Sequence, residues 1–274
     1  MKTLKVQKIV LYFVLIIGVI LTIGPFYWMV VGATNPSGEV LSIPPNFIPG
    51  THLMDNLNNL LGEINIWRSL LNSTIITVTY TFFGGLVSAS AGYAFAKFQF
   101  KGDNLLFSII LLSMMVPYQA LVIPQFELFA NLDLLNSFIS VILPQIAYPF
   151  AIFLMRQNMQ SIPDSLLEAA RIDGGGELGI FFKIVLPTSI PSIAAVSIFL
   201  FTHQWNNFLW PLITLSSKDM YTLPVALATL AGLENIDYGM LMLGATISIL
   251  PIFIAFLFLQ KFFISGMLGG SVKE

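Results

Sequence analysis

Six long apolar runs dominate the chain, at residues 9–32, 69–95, 104–130, 137–157, 188–212 and 238–264. A helix needs about 20 mostly apolar residues to cross the hydrocarbon core of a bilayer, and each run is long enough. None shows the two-residue alternation of a barrel strand, whereas a helix satisfies its own backbone hydrogen bonds in lipid. The pattern predicts an all-α membrane protein of six transmembrane helices, with residues 1–274 forming a single transmembrane domain. The first run follows Lys2, Lys5 and Lys8, as a secretory leader would, but continues from Ile9 to about Ala33 without a small-residue cleavage site. That exceeds the apolar core of a signal peptide, about 7–15 residues, so it reads as a retained first span.

The polar segments between the runs set the direction. With the N-terminus in the cytoplasm, the inner segments hold Lys2, Lys5, Lys8, Lys97, Lys101, Arg156, Arg171, Lys183, Lys261 and Lys273, and the outer ones hold only Arg68 and Lys218. Basic residues collect on the cytoplasmic side, so both termini are expected inside. Aromatic residues at span ends fit a headgroup belt: Phe26, Tyr27 and Trp28 close the first run and Trp210 the fifth. Composition agrees, with 56% hydrophobic and only 9% charged residues, about a third of the charge a soluble domain carries. A net charge of −2 leaves no nucleic-acid footprint. With no cysteine and only His52 and His203, the chain offers no disulfide framework and no metal or thiol chemistry. The reading is metal: none; catalytic residues: none; no cofactor bound directly.

One long inner segment carries a message. Residues 158–187 read NMQSIPDSLLEAARIDGGGELGIFFKIVLP. Ser161 can cap a helix that has Pro163 in its first turn and Asp164 three residues after the cap. Gly174, Gly175 and Gly176 then end it, and Glu177 opens a second short helix that meets Pro187 at the fifth span. The predicted shape is a cytoplasmic helix–turn–helix between helices 4 and 5. Ala169 and Ala170 give the first helix a small face, with Glu168 beside them and an apolar stripe of Leu166, Leu167 and Ile172. An amphipathic helix resting on the lipid interface is the simpler alternative.

Residues 168–187 fit E-A-A-x3-G-x9-I-x-L-P at every fixed position: Glu168, Ala169, Ala170, Gly174, Ile184, Leu186 and Pro187. The segment resembles the cytoplasmic signature loop of permease subunits in binding-protein-dependent ATP-binding-cassette importers. Tyr93-Ala94-Phe95-Ala96 with Lys97, Ile172-Asp173-Gly174, Trp205 to Leu212 and the ending Phe262 to Met267 resemble the carbohydrate branch, which imports maltose, other oligosaccharides and glycerol phosphate. The triple glycine departs from relatives that carry a single Gly followed by Ala or Ser, and implies a looser turn. The resemblance implies an inner-membrane permease forming half of the pathway for a sugar, a di- or oligosaccharide. Glu168, Ala169, Ala170, Arg171, Asp173 and Gly174 would couple it to a separate ATPase. The implied partners are two ATP-binding-cassette ATPase subunits, a second and non-identical permease, an extracytoplasmic solute-binding protein and the bilayer of a bacterial plasma membrane. ATP and Mg would be used by the ATPase, because the chain has no G-x-x-x-x-G-K-[ST] phosphate loop. The tail from Ser265 to Glu274 is a second possible ATPase contact.

Polar side chains within spans usually face a bundle interior or cavity. Tyr118, Gln119, Gln145, Gln204, Trp205, Asn206 and Asn207 are the candidate translocation pathway, where a Trp can stack on a sugar and amides bond its hydroxyls. Plain interhelical hydrogen bonding, worth about 0.6 kcal/mol on average, is the simpler role, and packing is the simpler role for His203. The small residues Gly84, Gly85, Ser88, Ala89, Ser90, Ala91 and Gly92 predict close helix approach in the second span. An ion-coupled secondary transporter of a small polar solute is the alternative, but Glu127 is the only acid well inside a run and lies toward its end. A membrane-embedded enzyme would need a catalytic constellation that the sequence lacks.

Overall fold

In the computed structural model, the backbone is described from Lys2 to Gly269, and the side chains at Lys8 and from Val10 to Lys261. Fifteen α-helices, two 3-10 turns and one π-helical turn are found among the described residues, and no strand. The helices are α1 (Lys2–Thr34), α2 (Ser37–Val40), α3 (Leu53–Glu63), α4 (Ile66–Lys97), α5 (Asp103–Ser113), α6 (Tyr118–Asn131), α7 (Phe138–Ile142), α8 (Pro149–Met159), α9 (Asp164–Ile172), α10 (Glu177–Ile180), α11 (Leu186–Thr188), α12 (Ile190–Trp205), α13 (Leu209–Thr214), α14 (Leu223–Ala231) and α15 (Tyr238–Gly269).

Three of the six apolar runs form helices that could cross a membrane unbroken, Val10–Thr34, Ile66–Lys97 and Tyr238–Lys261. The other three are bent. α5 and α6 meet at 102°, the α7 segment and α8 at 47°, and the Glu177–Thr188 stretch meets α12 at 81°. Length and apolar content thus support three spans, or up to six if each bent pair counts as one. The expected continuous helices over 104–130, 137–157 and 188–212 are corrected accordingly. Proline explains two of the breaks. Pro117 and Pro149 each sit at the start of a helix, where a missing N–H costs nothing, and each disfavours helical backbone in the residue before it. The predicted fifth run also breaks at its far end, where α12 stops at Trp205 and α13 begins at Leu209.

The chain divides into two compact units. The first comprises Met1–Arg68 and Ala226–Leu250. Its α1 is apolar on all sides and its side chains from Val10 to Leu21 are almost all exposed, as a helix bathed in lipid should be. Two buried asparagines close the end of α1. Asn35 Nδ2 donates to the Val31 carbonyl (3.0 Å) and Asn56 Nδ2 to those of Ala33 and Asn35 (2.9 and 3.0 Å). The Val31 and Ala33 carbonyls are among the four that the C-terminus of α1 leaves without intrahelical partners. At the start of α15, Asp237 Oδ1 accepts from Met240 N and Ser37 Oγ accepts from Tyr238 N, which serves the orphan donors there.

The second unit comprises Ser69–Val225 and Pro251–Glu274, and most of α4 is its spine. Gly84, Ser88 and Gly92 lie at spacing four along α4 and all are buried. A Cβ on Gly92 would lie 2.6 Å from Met155 Cβ and 2.8 Å from the Arg156 nitrogen in α8, and one on Gly84 would lie 3.2 Å from the Ile146 carbonyl oxygen. The small-faced second span is therefore a groove that lets backbones approach, and only one edge of the run Gly84–Gly92 serves it. Gly85 has open space beside it and Ser90 is exposed. Around this groove a core forms from Tyr80, Ala89, Tyr93, Ala151, Met155, Met159, Leu167, Phe181, Val185 and Leu200. It joins α4, α8 and α12 to the segment that holds α9 and α10.

Trp210, expected at a headgroup belt, is fully buried. Its indole N–H donates to the Ser140 carbonyl (2.7 Å) and its ring meets Phe129 edge-on at 6.0 Å. It is a packing anchor.

Gly92→Val should overpack the α4–α8 contact and destabilise the protein by about 1–3 kcal/mol, while Gly85→Ala next to open space should change stability by less than about 0.5 kcal/mol. Thermal unfolding in detergent distinguishes them; equal effects would show that α4 does not approach α8 through Gly92.

Candidate functional site

Within residues 158–187 the chain forms a helix, a turn and a second helix. α9 starts at Asp164 with Pro163 just before it, and no side chain caps it. The expected Ser161 cap is absent: its hydroxyl donates back to the Asn158 carbonyl (2.7 Å). Asp164 is engaged elsewhere, in an ion pair with Lys97.

The turn after α9 is tight. Gly174 has φ +85°, a left-handed conformation that costs a Cβ-bearing residue. Its N–H donates to the Arg171 carbonyl (3.0 Å), and the Gly175 N–H reaches Ala170 (2.9 Å), the paired bonds of a Schellman ending. A Cβ on Gly175 would come within 2.7 Å of the Ala170 oxygen. The second glycine is required by that approach, and the expectation of a looser turn is corrected. Only Gly176 is unconstrained.

Leu167 is buried to 1% exposure and Ala170 is half-buried against the core. Glu168, Ala169, Arg171, Asp173 and Gly174 are exposed. So is Ile172, at 86%, along with Leu178 (77%) and Phe182 (54%). The helix turns one apolar edge inward and presents an acid, a small residue and apolar side chains outward.

Three contacts from the end of α4 hold this segment. The Lys97 ammonium, its side chain 5% exposed, donates to the Ile162 carbonyl and to Asp164 Oδ1 (2.7 Å). The Tyr93 hydroxyl donates to Glu177 Oε2 (3.2 Å). Arg156 of α8 donates to the Phe95 carbonyl (3.2 Å) and stacks 4.0 Å over the Phe107 ring. Across the turn, Arg171 Nε donates to Glu177 Oε1 (2.7 Å). That hydrogen bond, helped by the Tyr93 hydroxyl, holds the Glu177 carboxyl below the usual glutamate range. Sequence reasoning matched Tyr93 and Lys97 to a motif but missed their role. The available signal was a basic residue ending an apolar run opposite an acidic loop.

The candidate pathway residues separate. Gln204 is buried to 3% exposure, and neither atom of its amide has a hydrogen-bond partner. The Tyr118 hydroxyl lies against the Gln145 side chain, and Gln145 Oε1 is buried without a partner. Asn207 Nδ2 is likewise buried without a partner. Gln119 and Asn206 are exposed, and Asn206 bonds its own helix at the Thr202 carbonyl. Trp205 is 1% exposed and its ring stacks parallel to Phe201 at 5.7 Å, so it displays no free face in this conformation. His203, read as a packing residue, sits among the rings of Tyr148 (4.7 Å), Phe199 (6.2 Å) and Tyr80 (6.4 Å), with Nδ1 unpartnered. The tail positions 270–274 and the side chains of Lys2, Lys5 and Phe262 to Met267 lie outside the described residues.

The described residues form helices and turns of high apolar content, with a helix–turn–helix bonded to the end of a long apolar helix, the architecture of a multi-pass membrane protein. Residues 66–269 match the model of the family described as binding-protein-dependent transport system inner membrane component, and the chain belongs to that family. It is 40% identical to the arabinooligosaccharides transport system permease protein AraQ of Halalkalibacterium halodurans, over 92% of each chain. It is 39% identical to the lactose transport system permease protein LacG of Rhizobium radiobacter, covering 98% of this chain and 97% of that one. Identity is 33% to the sn-glycerol-3-phosphate transport system permease protein UgpE of Escherichia coli, over 92% and 93% of the two chains. A chain from the crystal structure of a bacterial ABC transporter involved in the import of the acidic polysaccharide alginate superposes with TM-score 0.77 at 26% identity, covering 94% of this chain and 97% of that one. The protein is a permease component of the inner membrane, not an enzyme.

A carboxylate whose folded-state value is depressed contributes stability above its ordinary value and loses it as pH falls through the depressed one. The Glu177 contribution is therefore intact at neutral pH and lost on acidification below the usual glutamate range. Protection of the Gly175 and Ile180 amides, taken relative to the intrinsic exchange rate at the same pH, should fall in that window in the native protein. In Arg171→Gln the fall should begin at higher pH; identical profiles would show that the ion pair does not hold the turn.

Proposed function

We propose that the chain is a single permease domain of six spans with both termini in the cytoplasm. It supplies half of the path for a neutral di- or oligosaccharide and couples it to a separate ATPase through residues 158–187. The carrying observation is the outward face of α9, Glu168, Ala169 and Ile172, exposed on a helix bonded to the end of a long membrane helix. Ten of the twelve basic residues fall in segments this orientation puts inside, which supports the topology.

The assembly would contain two ATP-binding-cassette ATPase subunits, a second and non-identical permease, and an extracytoplasmic solute-binding protein. ATP and Mg would bind in the ATPase, with no cofactor on this chain. Glu168, Ala169, Ala170 and Gly174 form the contact, flanked by Arg171 and Asp173. Leu178 and Phe182 extend the apolar surface that the partner covers. The two relatives of highest similarity described above carry names of neutral saccharides, arabinooligosaccharides and lactose. No Lys or Arg lies near the polar residues of the path, which supports an uncharged cargo.

Gentle detergent purification from the native host, with mass spectrometry of what co-purifies, should recover the ATPase, a second permease and the binding protein. A chain that emerges alone from several mild detergents counts against this assembly. Glu168→Lys reverses a charge on the exposed face and should cut ATPase recovery at least tenfold, about 1.4 kcal/mol, with thermal unfolding of the membrane part unchanged. Full recovery would remove α9 from the interface.

A further inference from the structure

The segment between α2 and α3, in the first unit, inverts the pattern of a water-exposed loop, whose surface is dominated by Gly, Asn, Asp and Ser. Within residues 41–48 the exposed side chains are Leu41, Ile43, Pro44, Pro45, Phe47 and Ile48, all apolar, and the only two polar residues, Ser42 and Asn46, are partly buried. Ile43 is 97% exposed and Ile48 73%. No Asp, Glu, Lys or Arg occurs between Glu39 and Asp55. A contiguous apolar surface of this kind marks contact with another protein or with a membrane.

The hydrogen bonds favour the membrane, because backbone polar groups in lipid must be met from within the protein. The Phe47 carbonyl accepts from the Tyr27 hydroxyl (2.9 Å) and the Ile48 carbonyl from Asn35 Nδ2 (3.1 Å). Ile48 N donates to Asn46 Oδ1 (2.9 Å), Gly50 N to Thr34 Oγ1 (2.9 Å) and His52 N to the Thr34 carbonyl (2.8 Å). Pro44, Pro45 and Pro49 bring no N–H at all. These are the groups that a protein partner would bond, and they are already met. Tyr27 stands two turns before the end of α1 at Thr34, so the loop runs back along that helix by about 10 Å. At that level Phe26, Tyr27 and Val30 of α1 are themselves exposed. The apolar surface of the loop is thus continuous with the lipid-bathed surface of the first helix, beside an aromatic cluster of the kind that sits at headgroup level.

We propose that residues 41–48 insert into the bilayer leaflet at the Thr34 end of α1, with Ile43, Phe47 and Ile48 among the upper acyl chains. The Tyr27 and Asn35 bonds make the loop one piece with α1, and the insertion fixes the depth of that helix. With no Lys or Arg in the segment, the contact is with acyl chains and does not select anionic headgroups. The inference needs α1 to span the membrane; it does not depend on the cargo or on the coupling to an ATPase.

The test places nitroxide labels at Ile43→Cys and Ile48→Cys, with Ile20→Cys on α1 as the lipid reference and Asn58→Cys on α3 as the water reference, all exposed positions where a label displaces no packing. The chain has no cysteine of its own. The assembly, with partner cysteines replaced, is reconstituted in liposomes of phosphatidylcholine alone and of phosphatidylcholine with phosphatidylglycerol. Collision rates with oxygen, which partitions into lipid, and with a nickel chelate, which stays in water, give the depth of each label. Both loop labels should lie about 5–10 Å inside the headgroup boundary, equally in the two lipids. Nickel access equal to that at position 58 overturns the insertion. Poor access to both reagents overturns it as well, since it shows a protein covering the loop. Insertion found only with phosphatidylglycerol overturns the acyl-chain contact in favour of a headgroup one.

Discussion

The ammonium of Lys97 has only 5% of its side chain exposed, and a charge so nearly removed from water must have partners. It finds two on one segment, the Ile162 carbonyl and Asp164, at the mouth of α9. The position of α9 follows from that requirement. Once Lys97 fixes its start, Tyr93 one turn earlier meets Glu177 beyond the turn, and Arg171 closes the gap between the two short helices. Leu167 and Ala170 then pack inward, which leaves Glu168, Ala169 and Ile172 outside. Exposed ion pairs contribute little alone, so Arg171–Glu177 trims the turn while the buried Lys97 sets the geometry.

The same α4 ties that segment to the membrane part. Gly92 meets α8 at backbone distance and Gly84 meets the Ile146 carbonyl just before it, and α8 sends Arg156 back to the Phe95 carbonyl. A helix held at one end by its neighbour's backbone and at the other by charge has little freedom to move separately from the loop. That is the property required of an element that carries motion between two sites.

Much of this was legible in the sequence. Apolar runs gave the long helices, and the E-A-A-x3-G spacing gave α9 with its glycine end. The left-handed Gly174 is what a helix stop before a second helix demands. Other features depend on neighbours that a linear pattern cannot name. The bend between α5 and α6 was hidden because apolar residues continue through it. Trp210 was misjudged because an aromatic at a run's end has the same sequence signature whether it faces headgroups or the Ser140 carbonyl. Gly175 looked like excess until the Ala170 oxygen stood against it. The pathway list mixed buried, unmet amides with exposed ones because burial depends on where the breaks fall.

In the proposed coupling, α9 moves with the end of α4 as one piece. The chain contains no cysteine, so spin labels can be placed at Gln99→Cys and Ser165→Cys, two exposed positions, without background from this chain, in an assembly whose partner cysteines have been replaced. Their distance distribution should be read in the assembled transporter, with and without ATP, by double electron–electron resonance. A single narrow peak that stays in place through the cycle is the predicted result. A second population, or a shift on adding ATP, would contradict the rigid coupling that the Lys97 anchor is held to enforce.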